Sequence, residues 1–166
     1  FSADVFHSDG IIGQFEATLL ADSVTQLTIP SIRLNLKNHV WTGGNDSMRV
    51  LLGQDDFQFY NIKLTSEDQF IQLGGTLSLV GNQNLFVEIS DADISQFLKL
   101  IETPLTVQGK TRLFLEMKGT AESPFIEGMV SVTGGEVNEY DFQGVDLNVS
   151  YENQLFMFIA SLNYDK

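Results

Sequence analysis

Residues 105–117, LTVQGKTRLFLEM, decide the fold. Leu105, Val107, Leu113, Leu115 and Met117 fall on alternate positions, while Gln108, Lys110, Arg112 and Glu116 take the intervening ones and Phe114 breaks the polar series. Successive side chains of an extended chain point to opposite faces, so this spacing predicts a strand with one apolar face. The pattern returns with Val145, Leu147, Val149 and Tyr151 set against Asp146, Asn148 and Ser150, and again with Leu85, Val87 and Ile89.

Two stretches change parity midway. Leu27 and Ile29 are followed by Ile32, Leu34 and Leu36 across Pro30-Ser31, and Phe57 and Phe59 by Ile62 and Leu64 across Tyr60-Asn61. One extra residue moves every later side chain to the other face unless the strand bulges, so both stretches predict a β-bulge and a bend. Turn chemistry separates the runs at 42–46 (TGGND), 66–68 (SED), 81–84 (GNQN), 133–136 (TGGE) and 152–154 (ENQ). Connections this short predict an antiparallel meander, since parallel pairing needs a long crossover.

One segment departs from period two. Ile94, Phe97, Leu98 and Ile101 are spaced as one helix face, Asp91 or Asp93 can cap the start, and Pro104 blocks continuation. This predicts one short amphipathic helix near 93–102, placed to plug an open end of the sheet. The fold class expected is all-β: a curved antiparallel sheet forming an elongated open groove or a sandwich. An internal echo links FYNIKLTSEDQFIQLGGTLSL from Phe59 to FQGVDLNVSYENQLFMFIASLNY from Phe142, which predicts repeat-like units over about 57–101 and 105–164 within one β-rich domain, 1–166.

Composition limits the function. The net charge is -13, from 22 acidic and 9 basic residues without a basic cluster, which argues against a nucleic-acid partner. The chain has no Cys, so disulfides, thiolate metal sites and thiol nucleophiles are excluded together. Its two histidines, His7 and His39, lack ligand partners at useful spacing, and no metal or cofactor is expected. The acidic groups Asp55-Asp56, Glu67-Asp68, Asp91 with Asp93, and Glu136 with Glu139 and Asp141 sit at turns and a helix start, without a complete EF-hand pattern or an evident glycosidase pair. No serine lies in a G-x-S-x-G elbow and no Gly pair forms a phosphate loop, so the chain is not expected to be an enzyme. Asn45-Asp46-Ser47 and Asn148-Val149-Ser150 match the glycosylation sequon, which matters only in a eukaryotic secretory setting. No apolar run is long enough to span a bilayer as a helix. A chain beginning at Phe1 and stopping just after an apolar run is expected to be a segment of a longer protein.

Residues 118–164, KGTAESPFIEGMVSVTGGEVNEYDFQGVDLNVSYENQLFMFIASLNY, resemble the recurring unit of the TamB family in the AsmA-like superfamily: a Gly-Thr strand end, a polar link to Pro124, a strand, a Gly turn and a strand pair. Residues 59–101 are similar to another segment of that family, through Gly75-Thr76-Leu77-Ser78 and Asp93-Ile94-Ser95. The resemblance implies a periplasmic protein of a diderm bacterium, anchored in the inner membrane, that crosses to the outer membrane as a long β-groove. It implies phospholipid movement between the membranes and outer-membrane assembly, with an Omp85-type barrel (TamA- or BamA-like) as partner of the full-length protein.

An apolar concave face can shield acyl chains without any catalytic residue, at about 0.8 kcal/mol per buried methylene. The lining expected is Val107, Leu113, Leu115, Met117, Val130, Val132, Val145, Leu147, Val149, Leu155 and Met157. Two other functions fit the sequence: a module that binds outer-membrane β-barrel proteins or clients by strand addition, and an acidic extracellular β-sandwich with a closed core.

Overall fold

The computed structural model describes residues 2–6, 12–22, 24–36, 39–45, 47–95, 106–138 and 140–163. They form one antiparallel sheet of twelve strands: β1 (Ser2–Phe6), β2 (Ile12–Ala21), β3 (Thr25–Leu36), β4 (His39–Gly43), β5 (Arg49–Leu52), β6 (Asp56–Ser66), β7 (Gln69–Ser78), β8 (Asn82–Asp93), β9 (Val107–Thr120), β10 (Pro124–Val137), β11 (Tyr140–Glu152) and β12 (Leu155–Asn163). Order in the sheet follows order in the chain, apart from β4 and β5, which share one lane between β3 and β6. The meander expected from short connections is therefore present, and among the described residues there is no second sheet. Accessible surface reaches 10779 Å², against about 8200 Å² for a compact monomer of 18.5 kDa. The excess is what a single open layer leaves exposed.

Hairpin chemistry closes the links. Asn153 and Gln154 both have positive φ in the two-residue turn between β11 and β12, the geometry whose twist matches the flanking strands. Glu67 alone is positive in the β6–β7 turn. Between β7 and β8, Gln83 brackets the turn: its side-chain oxygen accepts from Ser78 N at 2.8 Å and its amide donates to Ser78 O.

Four strands carry an extra residue against a neighbour. Ile29-Pro30 of β3 stand opposite Ala17, Tyr60-Asn61 of β6 opposite Gly74, Ser90-Asp91 of β8 opposite Arg112, and Gly134-Gly135 of β10 opposite Gly109. The first two are the bends expected from the parity switches. Pro30 has no N–H for a regular ladder, and Asn61 supplies the left-handed φ of 53° that its bulge needs.

Two stretches expected as turns behave differently. Gly134-Gly135 is a bulge inside β10, and the chain reverses only after Val137. At 42–46 the chain does not reverse: Asn45 Oδ1 accepts from Ser47 N and Met48 N, and β5 continues antiparallel to β3 as β4 does. The same Gly and Asn residues serve a turn or an interruption, and only pairing with β3 and β6 separates the two. The helix expected near 93–102 falls mainly on residues outside those described. Its first position, Asp93, is still strand, paired with Lys110, and its carboxylate accepts from Ser95 N at 2.9 Å.

Gly75 has the strictest backbone requirement. Its φ is +105°, and a Cβ there would lie 1.8 Å from the backbone oxygen of Asn84 on the next strand. A strained φ and a backbone clash together make Gly75→Ala cost about 2–5 kcal/mol. Urea denaturation should show that loss as a lowered midpoint; an unchanged midpoint would mean that β7 and β8 do not approach this closely.

Candidate functional site

Register decides which side chains share a face. One row runs Phe15, Ile32, Gly43, Leu64, Ile71, Ile89, Leu113, Val130, Leu147 and Ala160, each directly opposite the next across ten strands. At a strand spacing of about 4.8 Å this row is about 43 Å long. A second row beside it runs Ile62, Leu73, Val87, Leu115, Gly128, Val149 and Phe158. The bulges maintain this face: in a regular strand of the same sequence, Phe57 and Phe59 would share a side with Lys63 instead of Ile62 and Leu64.

The opposite face has a different character. Its row between the two above reads Lys63, Gln72, Glu88, Phe114, Met129, Asn148 and Ile159. Arg112, Glu116, Lys118, Glu127 and Asp146 alternate onto this side as well. From β6 to β12, short of the β10 bulge, the strand positions of the first face carry no Asp, Glu, Lys or Arg among the described residues; beyond the bulge Asp141 continues the parity of Val145 and Leu147, opposite Glu136. Short of the bulge, one face is uncharged and the other holds the charge.

Leu113, Leu115, Met117, Val130, Val132, Val145, Leu147 and Val149 lie together on the uncharged face. Val107 reaches it beyond the β10 bulge, opposite Val137. Leu155 and Met157 do not belong with them. Phe156 pairs with Tyr151 and Phe158 with Val149, so Leu155 and Met157 point to the charged side. In a strand apolar at nearly every position, composition does not reveal the face; its partner does. Sequence reasoning also left Ile71, Leu73 and Ile89 out of the lining, although the bulge-corrected parity of β6 and its neighbours leads to them, and it left out Phe158 and Ala160, whose face only the pairing with β11 assigns.

Burial on this face is uneven. Trp41 and Ala92 are 0% exposed and pack with Leu34, Leu64, Ile71 and Ile89. Ala92, Thr111 and Val132 form a buried row in register, where Thr111 Oγ1 has no hydrogen-bond partner among the described residues. Toward β12 the face opens: Phe158 is 63% exposed, and Phe156 and Phe158 stack with ring centres 5.8 Å apart.

Polar chemistry lies elsewhere. The β8 bulge holds Asp91, whose carboxylate accepts from Ser90 Oγ at 2.9 Å and from Arg112 Nε and Nη2 at 3.1 and 3.0 Å. The Ser90 hydroxyl and then Arg112 hold its pKa below the ordinary Asp value. A depressed folded-state pKa supplies stability above the unfolded value and loses it as pH falls through the folded one. The effect is small because the Arg112 side chain is 71% exposed. An NMR titration should find Asp91 the more acidic for Arg112, so Arg112→Gln raises its midpoint part of the way; no change would remove the ion pair from the account.

A hollow of about 600 Å³ near the β10 bulge is lined by Gln108, Glu136, Asp141 and Gln143 beside the Gly pair. It is open and polar, and the described residues contain no group of three or more His, Asp or Glu able to hold a metal ion. His39 lies 3.4 Å from the side-chain nitrogen of Gln69. No described helix is long and apolar enough to cross a membrane. Compared with known proteins, the chain matches no family model, no curated protein and no solved structure.

Proposed function

We propose that this chain is a β-groove segment that shields phospholipid acyl chains in transit between two membranes and supports assembly of the outer one. The single observation that carries the reading is the uncharged face, an apolar row across ten strands with no second sheet packed on it among the described residues. A globular domain would bury such a face against another layer, because one-sided apolar sheets otherwise stand in water. Hydrocarbon can serve as that layer. The packing of Trp41 on β4 with Ala92 on β8, three strand spacings away, supports a sheet that curls toward this face as a groove must.

Such a groove needs no recognition of the headgroup. The neighbouring Lys110, Arg112 and Lys118 alternate onto the other face, so acyl chains lie inside and headgroups remain in water. The row runs in the direction in which strands are added, so further strands of the same design would lengthen the track. Placement in the periplasm of a diderm bacterium, in a protein anchored in the inner membrane and meeting an Omp85-type barrel, rests on the resemblance of residues 59–101 and 118–164 to the TamB family.

An environment-sensitive fatty-acid probe tests this reading. Titration into detergent-free protein should give a saturable blue shift that added phospholipid reverses; the absence of a saturable shift would reject it.

A further inference from the structure

Phe114, the residue that breaks the polar series of β9, marks an apolar patch on the charged face. It is 41% exposed, and Met129, directly opposite it on β10, is 52% exposed. Both strands have a neighbour on each side, so this exposure does not depend on the ends of the sheet. Two hollows flank the pair. One of about 360 Å³ is lined by Phe114, Met129, Met157 and Ile159 with Glu127 beside them, and one of about 190 Å³ by Phe114 and Met129 with Glu88 and Arg112. An exposed apolar patch rimmed by polar residues is the usual form of an interaction surface.

The rim is acidic. Glu88 stands directly opposite Phe114, Glu127 lies two residues before Met129, and Asp146 lies two residues before Asn148, which is directly opposite Met129. The basic residues of β9 already have acidic partners: Arg112 bonds Asp91 at 3.0 Å, Lys118 bonds Glu116 at 2.6 Å, and Lys110 lies 3.7 Å from Asp68. Glu88, Glu127 and Asp146 have no ion pair among the described residues. Glu127 also stands directly opposite Glu116, and like charges so placed repel.

We infer that this patch docks a cationic amphipathic segment of another polypeptide. Its apolar side chains enter the larger hollow, and its Lys or Arg side chains meet Glu88, Glu127 and Asp146. Charge selects that occupant. A second copy of a chain with a net charge of -13 brings more acid to an acidic rim, and an anionic lipid surface is repelled in the same way. Methionine is flexible and fills irregular gaps, so Met129 and Met157 suit a surface that accepts apolar side chains of several shapes. Phe114 alternates with Leu113 and Leu115, which face the other way, so the patch and the uncharged face can be occupied together.

A fluorescent synthetic peptide of leucine and lysine, patterned as an amphipathic helix, tests this by anisotropy. The parent chain should bind it saturably, and raised salt should weaken the binding. Met129→Lys should lower the affinity more than about tenfold, because it removes an apolar contact and sets a like charge in the hollow. Glu127→Gln should lower it about threefold, whereas Glu16→Gln, the same change on β2, should leave it unchanged. Met129 and Glu127 are both exposed, so circular dichroism should remain that of the parent. Fatty-acid probe binding should persist in both variants, which separates failure of this inference from failure of the groove reading. A peptide that does not bind overturns the inference. So does one that binds Met129→Lys as tightly as the parent, held by net charge alone, or one displaced by the fatty-acid probe, which would place it on the uncharged face. Phosphatidylglycerol vesicles that bind the parent but not Met129→Lys would overturn it in favour of a membrane.

Discussion

Trp41→Ala should remove about 3–5 kcal/mol of stability, the range for truncating a buried aromatic, from a total of about 5–15 kcal/mol. The cost is high because little else in the sheet is sealed from water. Besides Trp41, the buried hydrophobic residues among those described are Ala17, Met48, Ala92 and Val132, and Trp41 joins β4 to the cluster of Leu34, Leu64, Ile71, Ile89 and Ala92. Phe158→Ala removes a comparable ring from the open side of the same face, where the native ring is 63% exposed, and should change stability by about 0.5 kcal/mol or less. Urea denaturation of the two variants should therefore separate widely. Equal losses would mean that the face is sealed along its whole length, as in a closed core, and that a groove is the wrong description.

The second large effect concerns binding. Leu147→Arg places a guanidinium near the β12 end of the ten-residue row, between Val130 and Ala160. Any acyl chain on the row loses the leucine contact, worth about 1.5–3 kcal/mol when fully covered, and must also cover an unpaired charge. The fatty-acid probe should lose more than tenfold in affinity while circular dichroism remains that of the parent, because without lipid the half-buried position lets a long side chain reach water. Asn148→Arg, one residue away on the charged face, serves as the control and should bind as the parent does. Loss of folding and binding together in Leu147→Arg would make Leu147 an ordinary core residue.

The strands and much of their facing are legible in the sequence because period-two alternation is a property of each strand alone. Leu113, Leu115 and Met117 need no neighbour to be read as one face. The bulge at Tyr60-Asn61 is also legible, since Phe57 and Phe59 on one parity and Ile62 and Leu64 on the other admit few alternatives. Ser90-Asp91 is not, because acidic residues before an apolar run equally suit a helix start. Gly134-Gly135 has the chemistry of a turn, and its bulge emerges only from the register with Gln108 and Lys110. Leu155 and Met157 show the same limit from another direction: β12 is apolar on both sides, so pairing with β11 alone assigns its faces. The function is less legible than the fold, because a face that binds hydrocarbon uses the same residues as one that binds a second sheet.

Native mass spectrometry tests the central claim most directly, on the chain prepared without detergent from a bacterial host and followed by organic extraction. The account predicts phospholipid bound in stoichiometric amount to the parent chain and absent from Leu147→Arg. A bare 18.5 kDa mass that stays bare after incubation with phospholipid would contradict it.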